Sequence, residues 1–268
     1  MFQTCLSKMN DIIPIFYDHS SFKSILTFAK IKDVKKSGPK SIVQICKENN
    51  LKKCVFVSKQ FFTFDEALKN CKSEGVELIF GLEFVMCDDA KIHTEESITN
   101  EHKIIIFLKN GQGYEDLLRI YSACHANIDN KYYVQRFDYK QLKPLWTDNL
   151  LMALPFFDSF VAKNLLQYGA TIVPDLSFVK PTILREKNSG IPFAPLIDKA
   201  LDNYNVDKSL SEQSVKTIYY AEKKDFAAYN VYRAILNKSS FMKPQLDHFS
   251  STNFSFENYK ECSISQIT

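Results

Sequence analysis

The sequence predicts an α/β fold in which strand and helix pairs close into a barrel. Three observations lead there. Short apolar runs recur along the chain, and each is followed by a segment with helical periodicity, the alternation that builds parallel βα units. With 268 residues the chain is long enough for one barrel, since single cores stop growing at roughly 250 to 300 residues. About seven pairs follow one another without long linkers, which suits a closed barrel better than a doubly wound sheet.

Ile12 to Phe16 reads as the first strand. Pro39, whose missing N–H costs nothing in a first helical turn, opens a helix running to Asn50. Lys53 to Val57 is the second strand. Thr63 and Glu66 have capping-box spacing and start a helix with Ala67, Leu68 and Cys71 on one face, ended by Gly75. Val76 to Val85 is the third strand. Beyond the polar loop Asp88 to Asn100, Ile104 to Leu108 lacks alternation and so reads as a strand buried on both faces, with a helix from Tyr114 to Cys124 after it.

Leu150 to Leu154 is the next strand, stopped by Pro155, and Phe160 to Tyr168 is helical. A sixth strand comes from Thr171 to Val173 or from Thr182 to Leu184. Asp198 to Ser214 carries no distinguishing pattern and reads as a loop. Val215 to Tyr219 is the seventh strand and Asp225 to Leu236 the last helix. The barrel is assigned residues 1–250, and residues 251–268 are expected to be a loosely attached polar tail.

Composition excludes several classes. Hydrophobic residues at 45% and charged residues at 24% belong to a globular chain, neither disordered nor membrane-spanning. The net charge of +3 is too small to imply a nucleic-acid partner without a concentrated patch. Lys30, Lys32, Lys35, Lys36 and Lys40 do cluster, and such a run reads first as a solvated loop. The seven cysteines stand singly with no C-x-x-C spacing, which points to reduced thiols and a cytoplasmic setting. Residues 1–10 lack a charged segment followed by an apolar core, and no apolar run approaches the roughly 18 residues of a membrane span.

Metal chemistry on a barrel needs His, Asp, Glu or Cys side chains converging from the C-terminal ends of several strands. Of the five histidines, His19 follows a predicted strand, His102 precedes one, His125 lies near a helix end, and His93 and His248 fall in polar loops. Glu83 is more suggestive, because a carboxylate inside the apolar run Phe80 to Phe84 requires a cationic partner or a metal. The chain has no Gly-rich phosphate loop, nucleophile elbow or H-E-x-x-H helix, so nucleotide-triphosphatase and serine-hydrolase classes drop out. The aromatic pairs Tyr132-Tyr133, Phe156-Phe157 and Tyr219-Tyr220 read as core or protein interface, since no basic residues interleave with them.

Two segments carry a family resemblance. Val76 to Phe84, ending Phe80-Gly81-Leu82-Glu83-Phe84, and Ile106 to Leu117, containing Asn110-Gly111-Gln112-Gly113-Tyr114, are similar in order and spacing to segments of the polymerase and histidinol phosphatase (PHP) domain of DNA polymerase III alpha subunits. Divergent viral or Bacteroidetes-like versions resemble the chain most. Val215 to Tyr220 and Tyr229 to Ile235 add weaker similarity. The resemblance implies a distorted seven-stranded (β/α)7 barrel and, in active members, a cluster of ligands binding several metal ions for phosphoester hydrolysis.

Carried over position by position, that cluster is largely missing. Its opening H-x-H-S pattern falls on Tyr17-Asp18-His19-Ser20, and its T-D-H-G turn falls on Ser58-Lys59-Gln60-Phe61. Glu83 keeps the family's glutamate, while the next histidine corresponds to Lys103, with His102 one residue away. Phe157, Thr217 and Tyr219 fall where further ligands would be. His19 and Glu83 are therefore vestigial metal ligands by this resemblance; no cofactor is expected, with zinc, manganese or magnesium binding left as the alternative.

The resemblance further implies a structural or protein-interaction component of a viral replicative polymerase. Its partner would be a polymerase body, in a separate or downstream chain, with DNA met only indirectly and no membrane. The setting is then cytoplasmic, that of the host if the chain is viral. The alternatives are a metal-dependent phosphoesterase or 3′–5′ proofreading exonuclease, and a nucleic-acid-binding module.

Overall fold

The computed structural model describes residues 12–35, 38–126, 136–238 and 251–264. Two compact units emerge, one of residues 83–185 with 193–213, the other of residues 12–82, 186–192 and 214 onward. In chain order the strands are β1 (Ile13–Phe16), β2 (Lys53–Ser58), β3 (Glu77–Cys87), β4 (His102–Leu108), β5 (Phe137–Asp138), β6 (Leu150–Leu154), β7 (Thr182–Glu186) and β8 (Glu212–Ile218). The α-helices among the described residues are α1 (Ile42–Glu48), α2 (Phe64–Ser73), α3 (Glu95–Thr99), α4 (Gly111–His125), α5 (Tyr139–Leu142), α6 (Phe160–Leu166), α7 (Ala194–Asn205), α8 (Phe226–Leu236) and α9 (Phe256–Ile264).

Strand hydrogen bonding runs β2-β1-β8-β7-β6-β4-β3-β5, and β2 also pairs with β3. The seven longer strands thus form the closed ring of a mixed α/β barrel, and the two-residue β5 adds to the end of β3 at Met86 and Cys87. In the second unit β1 is flanked in parallel by β2 and β8, placing Ile15 opposite both Val55 and Thr217. β2 pairs with the first half of β3, with Val57 opposite Gly81. All residues of β1 and β6 are buried, as their unbroken apolar runs require.

One pairing departs from the parallel expectation. In the first unit β4 and β6 run antiparallel, Leu108 opposite Leu150 and Ile105 opposite Ala153. The reason is local: Lys109 N–H donates to the Asn149 carbonyl at 2.9 Å, so the chain enters β6 beside the point where β4 ends.

Other elements shift from their expected places. Pro39 lies outside α1, because Ser41 is still extended, bridged to Thr27 and bonded through its hydroxyl to the Ala29 carbonyl. Thr63 precedes α2 but caps nothing with its hydroxyl, which instead meets Ser20 Oγ at 2.9 Å. Ala67 and Cys71 of α2 are buried, whereas Leu68 points outward at 43% exposure. Thr182, not Thr171, begins the sixth long strand.

The stretch expected as a loop from Asp198 holds most of α7, whose Ile197 and Leu201 are buried one turn apart. The stretch expected as a loose polar tail is docked. Tyr219 N–H donates to the Phe254 carbonyl, Phe256 N–H donates to the Tyr220 carbonyl, and Phe254 and Phe256 are buried, the latter stacked on Phe16 at 5.9 Å. No helix among the described residues is long and apolar enough to cross a membrane.

Candidate functional site

Glu83 sits in the second half of β3 with its side chain 2% exposed. A buried carboxylate needs a counter-charge, and here it is an ammonium: Lys103 Nζ lies 3.7 Å from Glu83 Oε1 and 2.8 Å from Asp158 Oδ2. β4 supplies Lys103, and the Lys103 N–H also donates to the Asp158 carbonyl, fixing the loop after β6 against β4. Asp158 carried no sequence signal as a partner, because it is distant in the chain and follows the apolar pair Phe156-Phe157.

His102, one residue before Lys103, faces the opposite way and is 1% exposed. Its Nδ1 lies 3.0 Å from the Asn100 carbonyl and its Nε2 2.7 Å from Tyr139 Oη. A carbonyl only accepts, so Nδ1 carries the proton and Nε2 accepts from the tyrosine. Burial pushes the imidazole pKa down to about 4, against a smaller upward pull from the Asn100 hydrogen bond. Burial also drives the Tyr139 hydroxyl up. Both ring nitrogens are engaged, and His102 stacks on Tyr139 with a centroid separation of 5.7 Å. It is a core histidine.

In the other unit, Asp18 and His19 follow β1. Asp18 is fully buried, and both its carboxylate oxygens accept from Ser20 Oγ at 2.8 Å. Ser20 in turn meets Thr63, so a hydrogen-bonded chain ties the loop after β1 to the start of α2. His19 turns the other way: its side chain is 55% exposed and Nδ1 stands 4.0 Å from Asp18 Oδ2. Lys59 is exposed after β2.

Thr217, at a position the family resemblance reserves for a ligand, donates through Oγ1 to Glu186 Oε2 at 2.6 Å. Glu186 is itself buried and lies 3.3 Å from Lys216 Nζ, which donates to the carbonyls of Lys187 and Asn188. Burial raises the Glu186 carboxyl pKa, and the Lys216 charge and the Thr217 hydrogen bonds oppose that rise. Tyr219 is a core residue, stacked on Tyr229 at 5.7 Å and 4°.

A metal cluster of the kind the resemblance implies does not fit these surroundings. Glu83 has a lysine ammonium beside it, a charge that repels a cation, and the lone pair of His102 is taken by Tyr139. Among the described residues, no three His, Cys, Asp or Glu side chains gather as an ion would require.

The other sequence candidates are structural. His125 Nδ1 meets the Tyr121 carbonyl, and His93 Nδ1 lies 3.1 Å from an Arg136 nitrogen. Tyr220 is buried against Tyr229, Phe156 meets Phe157 edge-on, and Lys40 approaches Glu222 at 3.9 Å. The six described cysteines are buried free thiols. Lys36, Tyr132, Tyr133, His248 and Cys5 lie outside the described residues.

Four residues of the segment from Asn110 to Leu117 have clear structural roles. Asn110 caps α4, its side chain accepting from Gly113 N–H at 2.9 Å. Gly113 is small because the Asn149 carbonyl oxygen would stand 2.6 Å from any Cβ there. Asp116 is buried and accepts from Thr147 and Asn149, hydrogen bonds that lower its carboxyl pKa. Leu117 is fully buried.

No curated protein matches the chain. The family model of the PHP domain matches residues 35–170, just over half of it, a span containing the β3 glutamate, the α4 cap and the close β4–β6 junction. Barrel topology and matched span agree, and the chain is a member of the PHP domain family, a phosphoesterase-like family.

Proposed function

We propose that this chain is a PHP domain that has given up catalysis and serves as a structural or protein-interaction component of a replicative DNA polymerase of the polymerase III alpha type. The observation that carries this reading is the Lys103 ammonium, set between Glu83 and Asp158 at 3.7 and 2.8 Å. A lysine neutralises the buried carboxylate as a metal would, yet supplies neither an open coordination position nor an activated water. The polymerase assignment is supported by the similarity of Val76–Phe84 and Ile106–Leu117 to polymerase III alpha segments. On this reading the cytoplasm is the setting, that of the host if the chain is viral, and a polymerase body the partner.

The competing reading is a metal-dependent phosphoesterase or exonuclease using Glu83. Purified protein assayed with manganese or zinc on a single-stranded oligonucleotide and on an aryl phosphodiester separates the two. The scaffold reading expects turnover no higher than that of Glu83→Ala, and a pull-down that recovers a DNA polymerase chain. Turnover abolished by Glu83→Ala would overturn it.

A further inference from the structure

A groove of about 560 Å³ opens in the unit of residues 83–185 and 193–213, between the segment preceding β7 and the C-terminal end of α7. Leu176, Phe178, Pro181 and Leu210 give it an apolar lining, and the only charged side chains in that lining are Lys180 and Lys208. Neither has an acidic partner among the described residues: Lys208 Nζ sits 4.3 Å over the Tyr204 ring, and Lys180 is exposed.

The walls are held in place. Lys143 Nζ donates to Asp175 Oδ2 and Ser177 Oγ, each at 3.2 Å, and Val179 N–H closes a turn on the Leu176 carbonyl. Asp175, between the lining residues Pro174 and Leu176, is matched by Lys143, and both charged side chains of the lining itself are positive. Phe178 is braced edge-on by Trp146 at 5.9 Å.

We propose that this groove docks an acidic peptide segment carrying an apolar anchor, the anchor seated among Leu176, Phe178 and Leu210 and its carboxylates meeting Lys180 and Lys208. Charge complementarity selects the sign of the partner, and the desolvated apolar lining supplies the anchor site. A single-stranded nucleic acid would share the lysines but needs an open aromatic face for its bases. Of the two lining rings Tyr204 offers none, since Lys208 covers it and Phe160 meets it edge-on at 5.2 Å, which leaves Phe178 alone and no platform for successive bases. The proposal rests on the groove alone and is independent of the polymerase reading.

Trp146 is the only tryptophan and touches the groove wall, so its fluorescence reports occupancy directly. The full chain is titrated with a peptide of Asp and Glu flanking a Leu-Leu pair, with the same peptide in Asn and Gln, and with oligothymidylate. The expected result is a saturable change with the acidic peptide alone, weakened at least about tenfold in the double variant K180E/K208E, whose exposed positions leave the unfolding midpoint unchanged. Absence of saturation, equal affinity for the uncharged peptide, or unaltered affinity in the variant overturns the proposal. Saturable oligothymidylate binding lost in the variant overturns it in favour of nucleic acid.

Discussion

Burial of His102 fixes the imidazole in its neutral form, and that choice makes stability depend on pH. The unfolded chain protonates this histidine near 6.5, the folded chain only near 4. Between those values the unfolded state binds more protons, so stability is complete above the unfolded value and falls as pH drops through the window. Lowering pH from 7 to 5 should then cost about 2 kcal/mol through this residue. Urea midpoints followed by Trp146 fluorescence check it: the wild type should lose that much more than His102→Gln over the same interval. Equal losses would mean the imidazole is charged in the fold. A histidine one residue from a ligand position gives no hint in sequence of which face it takes, whereas the need of Glu83 for a cation or metal was legible from its apolar neighbours alone. Which cation met it was not, because Lys103 on β4 is set beside Glu83 on β3 and against the Asp158 loop by packing of segments distant in the chain.

Elements were legible where the period was strong and obscure where a partner decided them. β1 and β6 follow from their apolar runs, and the spacing gave two residues of the buried face of α2, Ala67 and Cys71, while placing Leu68 there wrongly. α7 was missed although Pro195 in its first turn is a helix-start signal, because its buried stripe is narrow, and Phe254 and Phe256 looked like isolated aromatics in a polar stretch. The antiparallel β4–β6 pair has no signature in either strand; it is set at the α4 start, where Asn110, Gly113 and Asn149 converge. Gly113→Ala tests that junction. A methyl group 2.6 Å from a backbone carbonyl must push the helix or the strand entry away, and overpacking of this kind costs typically 1 to 3 kcal/mol. Gly111→Ala, two residues earlier, meets nothing within 4 Å and should be neutral or stabilising by under about 1 kcal/mol, alanine being the better helix former. Chemical unfolding of the two variants side by side should separate them in sign; equal effects would remove the close approach as the reason for glycine.

At the scale of the whole molecule, two buried glutamates, Glu83 and Glu186, have ammonium partners built into the chain. Glu83 and Asp158 share Lys103, and Glu186 has Lys216. A family whose active members hold cations at such carboxylates gains stability from them by mass action, about 2.7 kcal/mol when the ion is present at a hundred times its dissociation constant. For a chain of this size that corresponds to a midpoint rise of several degrees. Here the carboxylates are already neutralised within the fold, so the thermal midpoint should move by less than about 1 °C between excess chelator and millimolar manganese. Manganese is the informative ion, because buried thiols such as Cys46, Cys54 and Cys71 become soft zinc ligands once unfolded and would blur the comparison. A Lys103→Met variant sharpens the test. It leaves Glu83 buried without that ammonium, so it should be destabilised, by roughly 2 kcal/mol given the partial exposure of Lys103. If manganese raised the midpoint of the wild type by several degrees, and Glu83→Ala abolished that rise, the lysine would not be standing in for the ion and the scaffold reading would fail with it.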